Sequence, residues 1–180
     1  MSGTEKLGVW RSGSTRRPVV IDVEASGFSP GSYPIEVGVV LEDGGGYCVL
    51  VKPEPEWTYW EPIAERRHGL TRELLLRCGL PVTTVAHQLN TLLEGMTVYT
   101  EAIGNDAVWL DLLFYRAGLP RLFKLENLCA LLPEDRLPLW DHAKREIIEA
   151  LNVSRRRASA DARILQLAAE RCVRGHWDDN

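Results

Sequence analysis

Four carboxylates stand where the hydrophobic pattern of this chain calls for core residues. In PVVIDVE, over residues 18–24, Asp22 and Glu24 interrupt a β-branched run. Side chains alternate across a strand, so Val19, Ile21 and Val23 share one face while Val20, Asp22 and Glu24 share the other. Both acids therefore point the same way. In NDAVWLDLLFYRAG the apolar stripe Trp109, Leu110, Leu113, Phe114 and Ala117, extended back one turn, lands on Asp106, whereas Asp111 lies off it and reads as a surface charge. In RRRASADARILQLAAERC the stripe is Ala158, Ala162, Leu165, Ala168, Ala169 and Cys172, and Asp161 falls within it. Each placement alone has an ordinary explanation: an edge strand facing water, or a first-turn Asp favoured by the helix dipole. Jointly they point elsewhere, because ionised carboxylates are costly against apolar surfaces unless paired, protonated or coordinated. Hard divalent cations gather acids in this way, and Mg²⁺ takes few protein carboxylates while keeping positions for water and phosphate.

The elements that must position these acids are legible in outline. Three strand-like runs, 18–24, 34–42 and 46–53, are rich in β-branched residues and bounded by Gly, Pro and Ser. The EDGGG connector between the second and third predicts a tight hairpin. A helical segment TRELLLRCG is followed by VTTVAHQLNTLLEG, with Val82, Val85, Ala86, Leu89, Leu92 and Leu93 at helical spacing. MTVYTE (96–101) predicts a fourth strand, NDAVWLDLLFYRAG a helix stopped by Gly118 and Pro120, and RLFKLE a short fifth strand. Helices are expected around 141–151 and from about 155 to 173. A three-strand antiparallel meander followed by alternating helices and strands predicts an α/β fold with a mixed sheet and helices on both faces.

Composition narrows the function classes. The chain has 180 residues, 45% hydrophobic and 26% charged, which suits one domain with a sizeable core. Residues 18–175 read as that domain, with 1–17 a polar arm and 176–180 a tail. The apolar runs are too short to span a membrane, and the start lacks the pattern of a secretory signal. The net charge of −4 argues against electrostatic coating of nucleic acid. Local basic clusters, Arg66-Arg67 and Arg155-Arg156-Arg157, keep open contact with phosphate esters through bound metal. Cys48, Cys78, Cys129 and Cys172 lack zinc or redox spacing and read as small buried hydrophobes in a reducing, cytoplasmic setting. Trp57 and Trp60 read as caps on the core in preference to a floor for the substrate cleft.

The ordered motifs resemble those of the DEDD superfamily of 3′-to-5′ exonucleases, the RNase H-like group that includes proofreading exonucleases, ribonuclease T and oligoribonuclease. IDVEASGF resembles the first motif, GNDAVWLDLLF the second, which selects Asp106 over Asp111, and RRASADARIL the third, with Asp161 as its acid. YPIEVGVV is similar to the usual second strand, carrying Glu36, and RHGLTRELL to the His-Gly-Ile-Thr segment before a helix. The likeness runs from Pro18 to Cys172.

This resemblance implies an RNase H-like fold and hydrolysis with two divalent cations, Mg²⁺ or Mn²⁺, releasing nucleoside 5′-monophosphates from a 3′ end of single-stranded DNA or RNA. Asp22 would bridge the ions, Glu24 and Asp161 would complete the site for the attacking water, and Asp106 would hold the second ion. Ser26, Gly27 and Phe28, with His68 and Leu70, would bind the terminal nucleotide, Phe28 stacking on a base. No membrane partner is implied, and a homodimer is compatible with it.

The chain departs from the family at the general base. One branch places His five residues before the third-motif Asp, where Arg156 stands; another places Tyr four before, where Arg157 stands. A guanidinium accepts no proton near neutral pH, and general acid-base assistance is worth about 10² to 10⁴ in rate. Arg156 is instead placed to contact the scissile phosphate. Three readings follow: a slow exonuclease driven by metal activation alone, an enzyme using His142 or His176 as substitute base, or a catalytically impaired chain that binds nucleic-acid ends or a protein partner. An aspartyl-phosphate phosphatase would need a second Asp where Glu24 stands, and a glycosidase would leave the helix-borne acids unexplained.

Overall fold

The alternation of Val19 to Val23 builds two cores, one on each face of a central sheet. A computed structural model describes residues 17–152 and 157–174; the expected polar arm up to residue 16, the tail, Arg155, Arg156 and His176 lie outside them. The sheet has the order β3-β2-β1-β4-β5. Strands β1 (Val19–Ala25), β2 (Pro34–Val40) and β3 (Gly46–Leu50) form an antiparallel meander, and β4 (Thr97–Thr100) and β5 (Lys124–Asn127) add in parallel beside β1. This is the expected RNase H-like mixed sheet. The hairpin between β2 and β3 closes through Leu41 N–H to Gly45 O at 2.8 Å, with Gly44 at φ +85°, a left-handed conformation that favours glycine.

Six helices complete the described chain: α1 (Pro62–His68), α2 (Arg72–Cys78), α3 (Val82–Leu93), α4 (Ile103–Ala117), α5 (Trp140–Leu151) and α6 (Ala158–Arg174), with short 3₁₀ segments at Leu128–Leu131 and Glu134–Leu139. Val19, Ile21 and Val23 pack with Val85, Leu89, Leu110 and Leu113 of α3 and α4. On the other face Val20 packs with Ala143 of α5 and Ala162, Leu165, Ala168 and Cys172 of α6. Asp22 and Glu24 share this second face, so α6 is the element that meets them.

Several elements differ from the sequence reading. Helix α1 was not expected, although Pro62 at its first position, Gly69 in a left-handed C-cap (φ 71°) and three basic residues in its last turn are all terminus signals. Its seven residues are too few for a hydrophobic period to register. Strand β3 stops at Leu50, because Val51 turns away to bridge Leu80. Cys172 is buried as expected, but Cys48 and Cys78 are exposed; an isolated residue carries no face information outside a periodic stripe. Trp57 is core, stacked on buried Tyr33 at 5.1 Å. Among the described residues no helix is long and apolar enough to cross a membrane.

Candidate active site

Two strand positions and one glycine determine where the acids meet. Asp22 lies opposite Gly38 in the β1–β2 register, and Glu24 lies opposite Glu36. A Cβ at Gly38 would fall 2.2 Å from Ala158 C and Ser159 N, so only glycine lets the first turn of α6 rest on the sheet. Asp161 sits one turn further along and comes down beside β1. Asp22, Glu24 and Asp161 each offer a carboxylate oxygen within 4.8 Å of the others, and all three are partly exposed.

They line a cleft of about 480 Å³ whose walls come from five elements. The loop after β1 contributes Gly27 and Phe28, α1 contributes Ala64 and Arg67, and α4 contributes Asn105, Asp106 and Trp109. Helix α5 contributes Asp141, Lys144, Arg145 and Ile148, a stripe at i, i+3, i+4 and i+7, while Trp140 and Ala143 point into the second core. Sequence reasoning missed this wall, although the spacing was readable. Glu101, just after β4, also lines the cleft and accepts hydrogen bonds from Trp140 Nε1 at 2.6 Å and from Lys144 Nζ. Lys144 also pairs with Asp141 at 3.0 Å. These bonds tie α5 to the end of β4.

Asp106 is buried with Leu110, Leu113 and Phe114, while Asp111 is exposed and pairs with Arg121 at 3.3 Å. Burial pushes the Asp106 carboxyl up to about 7, neighbouring Glu101 adds to this, and a hydrogen bond donated by Thr100 Oγ1 only partly opposes it. The environment of Glu36 has the opposite outcome. It is completely buried, yet hydrogen bonds from Arg157, Cys48 and the Ala158 amide outweigh burial and hold it below the ordinary carboxylate range. The Arg157 guanidinium grips both Glu36 oxygens, and Ala158 N–H donates to Oε2 at 3.0 Å. Arg157 is thus a tether for the start of α6 and does not line the cleft.

The other expected site residues divide. Phe28, 55% exposed, lines the cleft with the Arg67 guanidinium 5.6 Å from its ring centre. Gly27 also lines it; a Cβ there would meet Tyr59 and Glu61 at 2.8 Å. Ser26, His68 and Leu70 are buried and do not line it. Ser26 Oγ accepts from Tyr33 N–H at 3.1 Å, and His68 Nδ1 accepts from Leu70 N–H at 3.0 Å, bonds that shape the two loops from within. Burial holds His68 below its usual pKa. His142 is exposed, pairs with Glu146 at 3.7 Å, and lies outside the cleft lining.

No family model matches the chain, and no curated protein matches it in sequence. Solved structures do resemble it. An E. coli exonuclease I in complex with a 5cy-dT13 oligonucleotide superposes with a TM-score of 0.64 at 14% identity, over 89% of this chain and 41% of the other. A moderately thermophilic exonuclease I from Methylocaldum szegediense gives 0.64 at 19% identity, over 89% and 41%. A zinc-bound E. coli exonuclease I complex with single-stranded DNA gives 0.62 at 15%, over 89% and 41%. The chain therefore has the fold of an exonuclease I domain and spans about two fifths of those proteins.

Proposed function

We propose that this chain is a metal-dependent 3′-to-5′ exonuclease acting on single-stranded DNA or RNA. The observation that carries this reading is the convergence of Asp22, Glu24 and Asp161 within 4.8 Å in a cleft that also holds Asp106. Such an oxygen-only donor set fits a hard divalent cation, Mg²⁺ or Mn²⁺, and leaves positions for water and phosphate. Two such cations would supply activation of the attacking water and stabilisation of the departing 3′ oxygen. Asp22 would touch both, Glu24 and Asp161 would complete the water side, and Asp106 would hold the second. Burial raises the Asp106 pKa to about 7, and a cation held beside it would favour its carboxylate form. Phe28 presents an exposed ring for stacking on the terminal base, and Gly27 leaves room for the Tyr59 and Glu61 side chains against the loop. Ser26, His68 and Leu70 support that loop and α1 from below. The likeness in fold to exonuclease I supports the same reading.

A second reading, a binder of nucleic-acid ends with impaired hydrolysis, is favoured by one observation. Among the described residues lining the cleft there is no histidine or tyrosine, and Arg157 is engaged with Glu36. Incubation of the purified protein with Mn²⁺ and a 3′-labelled single strand tests both. The exonuclease releases labelled mononucleotides, and Asp22→Ala abolishes release. Strand binding without release, over a broad range of pH and metal, selects the binder.

A further inference from the structure

We infer that Arg67 and Arg145, carried by two separate helices, clamp the backbone phosphates of the single strand that enters the cleft. The inference rests on the nuclease reading above and assigns the residues that capture the polyanion. The problem they solve is electrostatic. The cleft floor is made of Asp22, Glu24, Asp106 and Asp161, and the chain carries a net charge of −4, so an approaching strand meets repulsion unless cations stand at the walls.

The basic residues around the cleft are not equivalent. Lys144 spends its charge on Glu101 and Asp141, and Arg157 on Glu36. Arg145, exposed on the cleft stripe of α5, has no ion pair among the described residues; Asp141, whose charge it feels, is held by Lys144 at 3.0 Å. Arg67, in the last turn of α1, is exposed and lies over the Phe28 ring rather than against a carboxylate. A base stacked on Phe28 would bring its phosphate toward Arg67, and a guanidinium is well suited to grip it. Arg66, one residue earlier on the same helix, is also exposed but does not line the cleft. The Arg66-Arg67 cluster of the sequence therefore splits into one cleft residue and one matched control.

The test is fluorescence anisotropy of labelled oligo-dT, oligo-dA and oligo-rU with the full chain, with Ca²⁺ supplied as the cation, over a salt series. Each phosphate contact removed lowers the slope of log affinity against log salt by about 0.7 for a single strand. Arg67→Ala and Arg145→Ala should each weaken binding several-fold, equally on all three strands, and lower the slope by about that amount; the double variant should lower it by about twice as much. Arg66→Ala should leave both quantities at the wild-type value. Equal losses in Arg66→Ala would mean that only net charge matters and would overturn the clamp. So would a double variant that binds like wild type while wild type cuts, and in that case the nuclease reading survives. A wild type that neither binds nor cuts overturns both.

Discussion

Glu36, beneath the start of α6, and Asp106, in the cleft wall, are both buried carboxylates, and they have opposite electrostatic fates. Glu36 is surrounded by donors: a bidentate guanidinium, a thiol and a helix amide. Its charge is compensated inside the protein, and it holds two elements together. Asp106 receives one neutral hydroxyl and has Glu101 nearby, so burial prevails and its pKa rises to about 7. An acid saturated by the protein is structural, whereas one left short of positive charge is poised for a ligand that brings it. In the sequence both stand as single acids in apolar runs, and nothing in that pattern shows which one the protein itself compensates.

The largest effect is expected at the cluster that needs outside charge. Asp22→Ala should reduce Mn²⁺-dependent mononucleotide release by more than about 100-fold, measured on a labelled strand, with little change in the unfolding midpoint without metal. Next in size is Gly38→Ala. Its new methyl meets backbone atoms of α6 at 2.2 Å, which cannot rotate aside, so denaturant unfolding should show a loss of about 3 kcal/mol, the upper part of the overpacking range. Asp161 should move with the helix, and the half-saturating Mn²⁺ concentration should rise.

Removing Arg157 tests the saturated acid. Breaking a fully buried pair costs about 3–5 kcal/mol, but the Arg157 side chain is 41% exposed, so solvent screening brings the expected loss to about 2 kcal/mol for Arg157→Ala. The pH dependence follows from the lowered pKa of Glu36. Its stabilising contribution is present above the unfolded value of 4.5 and is lost as pH falls through the lower folded value. In Arg157→Ala the burial of Glu36 is no longer offset, so that dependence reverses sign, which urea unfolding from pH 3 to pH 7 would detect on a scale of about 1 kcal/mol per unit.

The smallest effect is expected at Asp106. Its folded pKa of about 7 exceeds the unfolded 3.8, so the folded state binds the extra proton between those values, and its contribution is full below 3.8 and lost as pH rises through 7. Asp106→Asn, in chelator, should remove that decline. The added amide leaves a donor to satisfy, so the net gain at pH 8 should be only about 1 kcal/mol. Adding Mn²⁺ to wild type at pH 8 should recover stability that the variant does not gain.

The strand pattern of residues 18–24 was sufficient to assign Asp22 and Glu24 to one face, because side-chain alternation is a local property. Helical spacing likewise placed Asp106 on the buried stripe of α4 and Asp161 on that of α6. The wall formed by α5 was present as a period but lacked meaning until a cleft existed for it to face. His68, Ser26 and Leu70 were expected to bind the terminal nucleotide, but whether a residue points into a cleft or beneath it depends on packing from other segments. Their burial is such a case.

Local patterning was enough for most of the elements (though not for α1), for the faces that carry the acids, and for the lack of His or Tyr at positions 156 and 157. Those follow from backbone periodicity, which acts over a few residues. Which acids converge, and how Glu36 is satisfied, was settled by packing, because those outcomes depend on contacts across more than a hundred residues. Glu36 meets Arg157 and Ala158 at separations of 121 and 122. Gly38 admits the backbone of α6, and through it Asp161 reaches Asp22. That close approach is a matter of excluded volume between two segments, and no local spacing encodes it.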